Sequence, residues 1–139
     1  MPTDDRRAPI RVLVAEDDDL VRSLIERLLE MQGWQVVSVA NGADAVEAWR
    51  AGGGFDLSIL DVRMPKMNGY DAYRAIRSVS PSARFLFVSG YADEEIETRL
   101  TRDERQPFMA KPFDSDALLE RVYTLLGDQG HRPLYAAYD

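Results

Sequence analysis

Four acids in a row, Glu16, Asp17, Asp18 and Asp19, close the apolar stretch "VLVAEDDDL". A lone acid, Asp61, ends a second apolar run in "LDVRMPKMNG"; Ser89 ends a third in "FVSGY", and Lys111 precedes a proline in "FMAKPF". Carboxylates are hard oxygen ligands, and with no His or Cys nearby they suit Mg²⁺ or Mn²⁺ rather than zinc. Crowded acids raise one another's pKa, whereas a cation among them removes that penalty and keeps them ionised. An ionised carboxylate beside a metal ion and a lysine is a competent nucleophile toward a phosphoryl group. Each residue also has an ordinary explanation. Asp18 and Asp19 suit a helix N-cap, Asp61 a turn, and Ser-Gly and Lys-Pro are common turn punctuation. The chemistry therefore depends on whether the chain brings these residues together.

The elements that would position them alternate in kind. Residues 10–15, 34–40, 55–60 and 84–89 are short and rich in β-branched or aromatic side chains, and they read as strands. The first, third and fourth read as buried on both faces. "PFMA" (107–110) is a fifth candidate, limited by its proline to a strand start or an edge. Between them, Leu20, Val21, Leu24, Ile25, Leu28 and Leu29 recur at helical spacing with Gly33 as a stop. Further helices are expected over about 43–51, 69–79 and 115–126, the last burying Leu118, Leu119, Val122, Leu125 and Leu126. The helix expected around 93–102 is the poorest, with Ile96 and Leu100 as its only large aliphatic residues. Such a helix is held weakly and is free to shift or to serve as a contact surface.

Strands alternating with helices give an α/β, doubly wound (βα)5 unit, a parallel sheet with helices on both faces. Ligands of such sheets bind beyond the carboxyl ends of the strands, at the switch in strand order. Glu16, Asp17, Asp61, Ser89 and Lys111 all follow or end strands, so the topology gathers them at one edge. Glu16, Asp17 and Asp61 against Lys111 leave two uncompensated negative charges, which one divalent cation balances.

The four motifs "VLVAEDDDL", "LDVRMPKMNG", "FVSGY" and "FMAKPF", in that order, resemble the receiver domain of two-component response regulators over about residues 10–126. The resemblance implies a flavodoxin-like five-stranded sheet in the order 2-1-3-4-5. It implies that Asp61 accepts a phosphoryl group from a phosphohistidine on a sensor histidine kinase or histidine phosphotransfer protein. Mg²⁺ (or Mn²⁺) would be held by Asp17, Asp61 and the backbone carbonyl of Arg63, with Glu16 helping. Lys111 would pair with the phosphoryl oxygens ahead of a cis Lys111–Pro112 bond, Ser89 would hydrogen-bond the phosphoryl group, and Phe108 would be the aromatic switch. The face formed by the fourth helix, fifth strand and fifth helix would then rearrange to control a downstream protein partner.

Some positions depart from the family pattern. Glu16 stands where Asp is commoner, and Phe108 where Tyr is frequent. Arg63 and Tyr91, each two residues beyond a motif residue, flank the site. Other classes fit less well. A haloacid-dehalogenase-like phosphatase needs a second Asp where Arg63 stands. A flavodoxin-like FMN module needs a hydroxyl- and Gly-rich loop where the four acids stand. A degenerate receiver would lack the acid, hydroxyl and lysine set that is intact here.

The remaining bounds agree. The 139 residues, 45% hydrophobic and 29% charged, suit one domain, read as 10–126 between a flexible segment 1–9 and a tail 127–139. The chain has no cysteine, no long apolar run and no apolar leader after its first charges, so a cytoplasmic setting without membrane contact is expected. A net charge of −7 argues against nucleic-acid binding. The reading is a stand-alone or hybrid-kinase-associated receiver, a signalling domain rather than a turnover enzyme, monomeric or weakly dimeric. The tail after Gly127 is too short for an output domain, so output is expected through a partner or from parts outside this chain.

Overall fold

The structure, a computed structural model, describes residues 9–90 and 94–127. Tyr91 and all but the inner end of each expected tail lie outside the described residues.

The strands are β1 (Arg11–Ala15), β2 (Gln35–Val39), β3 (Leu57–Asp61), β4 (Phe85–Ser89) and β5 (Phe108–Ala110). They form one sheet, every neighbouring pair parallel, in the order β2-β1-β3-β4-β5. The helices are α1 (Asp19–Glu30), α2 (Gly42–Ala51), α3 (Gly69–Val79), α4 (Glu94–Thr98) and α5 (Ser115–Leu126). A π-helical turn, Arg99–Asp103, continues α4. This is the doubly wound flavodoxin-like fold expected from the sequence.

Side chains alternate across the strands, so the core divides into two layers. Leu13, Leu60, Phe85 and Phe87 pack with Val46, Tyr73 and Ile76 from α2 and α3. Val12, Val14, Leu57, Ile59, Leu86 and Val88 pack with Ile25, Leu29, Leu118 and Val122 from α1 and α5. Every residue of β3 and β4 is buried, and in β1 all but Arg11. Burial on both faces explains their continuous apolar runs.

Four helices start on side chains that accept backbone N–H groups: Asp18, Asn41, Asn68 and Asp114. These satisfy donors that the first helical turn leaves open. Asp18 thus takes the expected cap, whereas Asp19 lies inside the first turn of α1 and pairs with Arg22 at 2.6 Å.

Two helices differ from the pattern in detail. The apolar stripe of α1 spans about half its circumference at 3.6 residues per turn, and only its inner margin, Ile25 and Leu29, is buried. Leu20 and Leu24, on the outer margin, are 70% and 60% exposed. The fourth helix is shorter than expected as regular α-helix. None of its residues is buried and three of them are glutamates, so it is anchored through Leu100 in the π-helical turn. In α5, Leu118, Val122 and Leu126 are buried, but Leu119 and Leu125 only partly.

Candidate functional site

Register places the acids. Ala15 pairs with Leu60 across β1 and β3, so Glu16 and Asp61 leave the sheet side by side. These two strands flank the point where strand order reverses, where parallel α/β sheets open a crevice. Ser89 pairs with Ala110 across β4 and β5, which brings Lys111 to the same edge. The Lys111 N–H donates to the Ser89 carbonyl at 2.8 Å, and the Lys111–Pro112 bond is cis.

Lys111 Nζ lies 2.6 Å from Glu16 Oε1 and 2.9 Å from Asp61 Oδ2. Glu16 Oε2 accepts the Asp18 N–H, and Asp61 Oδ1 accepts the Arg63 N–H at 3.2 Å. Glu16 and Asp61 are buried, whereas Asp17 is exposed at the mouth. Asp17 also borders an open depression with Val62, Arg63, Met64, Asn68 and Ile96. Ser89 is buried at the neighbouring strand end. Phe108 is half-buried against the α2–α3 layer that holds Leu100 and Phe87.

The loop after Asp61 is pinned at two glycines. A Cβ on Gly69 would meet the Asp61 carbonyl oxygen at 2.2 Å, and one on Gly42 would meet the Met67 carbonyl oxygen at 2.2 Å. Only hydrogen at these positions lets Gly69 N–H reach Val62 O and Gly42 N–H reach Met67 O, both at 2.9 Å. Asp61 therefore stands on a backbone fixed by α2 and α3.

The electrostatics favour a cation. Burial pushes the Glu16 carboxyl up, and neighbouring Asp61 adds to this, outweighing Lys111 and the Asp18 N–H. Burial works against the Lys111 charge, but Glu16 and Asp61 together hold its pKa above the ordinary value. Glu16, Asp17 and Asp61 each offer a carboxylate oxygen, all within 4.8 Å of one another. Glu16 Oε1 and Asp61 Oδ2 share the one Lys111 ammonium, at 2.6 and 2.9 Å, so a single positive charge serves two buried carboxylates. An all-oxygen donor set with a surplus of negative charge fits Mg²⁺.

Sequence reasoning did not pick out Arg22, which donates to the Glu16 carbonyl at 2.9 Å while pairing with Asp19. The i,i+3 spacing of Asp19 and Arg22 was a usable signal. It also missed Glu104, whose carboxylate accepts from Tyr70 and Tyr73 across 34 and 31 residues of sequence. No local pattern announces such a pairing.

A profile of the response regulator receiver domain matches residues 12–123. A chemotaxis protein CheY of Treponema pallidum is 33% identical over 121 residues, covering 86% of this chain and 84% of that protein. The sensor kinase CckA of Brucella abortus is 37% identical over 119 residues, 85% of this chain, yet the chain spans only 13% of that kinase. A solved CheY-like receiver domain from Methanospirillum hungatei superposes with a TM-score of 0.79, covering 88% of this chain and 97% of its own, at 24% identity.

Proposed function

Because this chain belongs to the response regulator receiver family, we propose that it is a phosphorylation-dependent switch of two-component signalling with Asp61 as phosphoacceptor. The observation that carries the reading is the ion pair of Lys111 Nζ with Asp61 Oδ2 at 2.9 Å, inside a pocket shared with Glu16 and Asp17. An Asp61 oxygen attacks the phosphorus of a phosphohistidine, the P–N bond breaks, and the imidazole leaves as the neutral ring once protonated. Lys111 follows the departing charge onto the phosphoryl oxygens, and the Ser89 hydroxyl donates to one of them. Glu16, Asp17, Asp61 and the Arg63 carbonyl are the groups that would hold Mg²⁺, or Mn²⁺ in its place. The ion supplies neutralisation of charge on the phosphoryl oxygens.

Phosphorylation adds about −1.5 to −2 charge and three acceptor oxygens at Asp61. Drawing Ser89 and Lys111 toward that group pulls on the segments that lead into and out of α4. Phe108 turns inward, and the face of α4, β5 and α5 changes its preference for a partner. The donor is a sensor histidine kinase or a histidine phosphotransfer protein, and water later removes the phosphoryl group slowly. The similarity to a sensor kinase over most of this chain supports a place in a phosphorelay.

Incubation with acetyl phosphate, followed by intact mass, tests this. A phosphoryl adduct is expected with Mg²⁺ and neither without it nor in Asp61→Asn. An adduct that survives Asp61→Asn would contradict the assignment.

A further inference from the structure

Away from the acidic pocket, one more carboxylate is drawn against the body of the domain. Glu104, just past the π-helical turn, sets its carboxylate between two tyrosines of α3. Oε2 accepts from Tyr70 Oη at 2.7 Å and Oε1 from Tyr73 Oη at 2.6 Å. The tyrosines stand three residues apart, so both reach the same side of α3, and both are buried. Burial, reinforced by Glu104, raises the Tyr73 phenol to about 12. Burial opposes the Glu104 charge, but the two phenols, with Arg74 and Arg77, hold its carboxyl below the ordinary value. At neutral pH the group is therefore two phenol donors on one carboxylate, the stronger kind of hydrogen bond.

Its place on the chain gives it consequence. The α4 segment contributes no buried residue, and Leu100 is the buried side chain of the π-helical turn. Arg105, next to Glu104, holds a φ of 53°, and Gln106 turns back to bond Leu100 O and Glu104 O. Phe108 and β5 follow directly and lead to Lys111. Any rearrangement of the α4–β5 connection must break the Glu104 bonds or carry them along.

We propose that Tyr70, Tyr73 and Glu104 form a latch that favours the unphosphorylated arrangement of the α4–β5 connection and so sets the threshold of the switch. This rests on the functional reading above. A contact made in one of two states biases their populations by its own strength. Removing one phenol hydroxyl, a donor to a charged acceptor, should shift the balance by about tenfold or more.

Tyr70→Phe, Tyr73→Phe and the double variant keep the rings, and hence the α3 packing, while removing the donors. The expected result is faster amide exchange over residues 94–110, unchanged exchange in β1 and β3, and Mg²⁺-dependent phosphorylation by acetyl phosphate about tenfold or more faster per hydroxyl lost. Phosphorylation at the wild-type rate or slower, whatever the exchange does, overturns the latch and leaves a brace only. A wild-type chain that takes up no phosphoryl group would instead contradict the functional reading itself.

Discussion

Lys111 Nζ lies 2.9 Å from Asp61 Oδ2 and thereby ties the end of β5 to the end of β3, strands that do not touch in the sheet. The same ammonium meets Glu16 Oε1 at 2.6 Å. Without metal, it is the positive charge among the groups at the centre of the pocket. Lys111→Met leaves two buried carboxylates uncompensated. Breaking such a pair from one side costs about 3–5 kcal/mol when it is fully buried, and about 2–3 kcal/mol is expected here because the lysine is 20% exposed. Thermal unfolding should show that Mg²⁺ stabilises this variant more than the wild type. An equal gain in both would mean that ion and lysine do not share the same charge.

The acids after β1 divide by role. Asp17→Asn should leave metal-free stability nearly unchanged, because Asp17 is exposed, and should abolish stabilisation by Mg²⁺. For the wild type, that stabilisation is about 1.4 kcal/mol at a tenfold excess over Kd. Asp18→Ala should do the reverse: a loss of about 1 kcal/mol from the uncapped helix, with the Mg²⁺ response retained. Melting curves over a Mg²⁺ series separate the two, and a wild-type response in Asp17→Asn would remove Asp17 from the ligand set.

Gly69→Ala reaches the site through the backbone. The added methyl would meet the Asp61 carbonyl oxygen at 2.2 Å, so the loop must move, at a cost of about 2–3 kcal/mol. Phosphorylation by acetyl phosphate should slow by at least about tenfold, since small misplacements near reacting groups have large effects on rate. By contrast, Gly52→Ala meets nothing within 4 Å and should keep the wild-type rate.

The tyrosine–carboxylate group predicts opposite pH dependences at the two ends of the scale. The folded Tyr73 phenol keeps its proton to about 12 against an ordinary 10.0. Its contribution is therefore complete below pH 10 and lost as pH rises toward about 12. The Glu104 carboxyl is lowered from 4.5, so its contribution is complete above that value and lost as pH falls through the folded one. Denaturant titrations should show Tyr73→Phe losing its deficit relative to wild type in alkali, and Glu104→Gln losing its deficit in acid. Parallel curves for variant and wild type would contradict the shifts.

Much of this was legible in the sequence because the deciding patterns are local. The apolar runs of β1, β3 and β4, the Asp18 cap and the stop at Gly33 all lie within a few residues of what they determine. The strand-end rule then places Glu16, Asp17, Asp61, Ser89 and Lys111 along one edge, and the structure brings four of them within ion-pair or ligand distance. Long-range chemistry was not legible. The outward set of Leu20 and Leu24 depends on how α1 rotates on the sheet. The π-helical turn at Arg99–Asp103 has no signature in the local sequence pattern. The Glu104 pairing joins residues whose proximity depends on the finished fold.

Site mapping tests most directly whether Asp61 carries the phosphoryl group. After reaction with acetyl phosphate and Mg²⁺, borohydride reduction converts an aspartyl phosphate to homoserine, which peptide mass spectrometry locates. Homoserine is expected at position 61, dependent on Mg²⁺ and strongly diminished in Lys111→Met. Homoserine at another acid, or none at 61 while the intact protein carries a phosphoryl adduct, would contradict it.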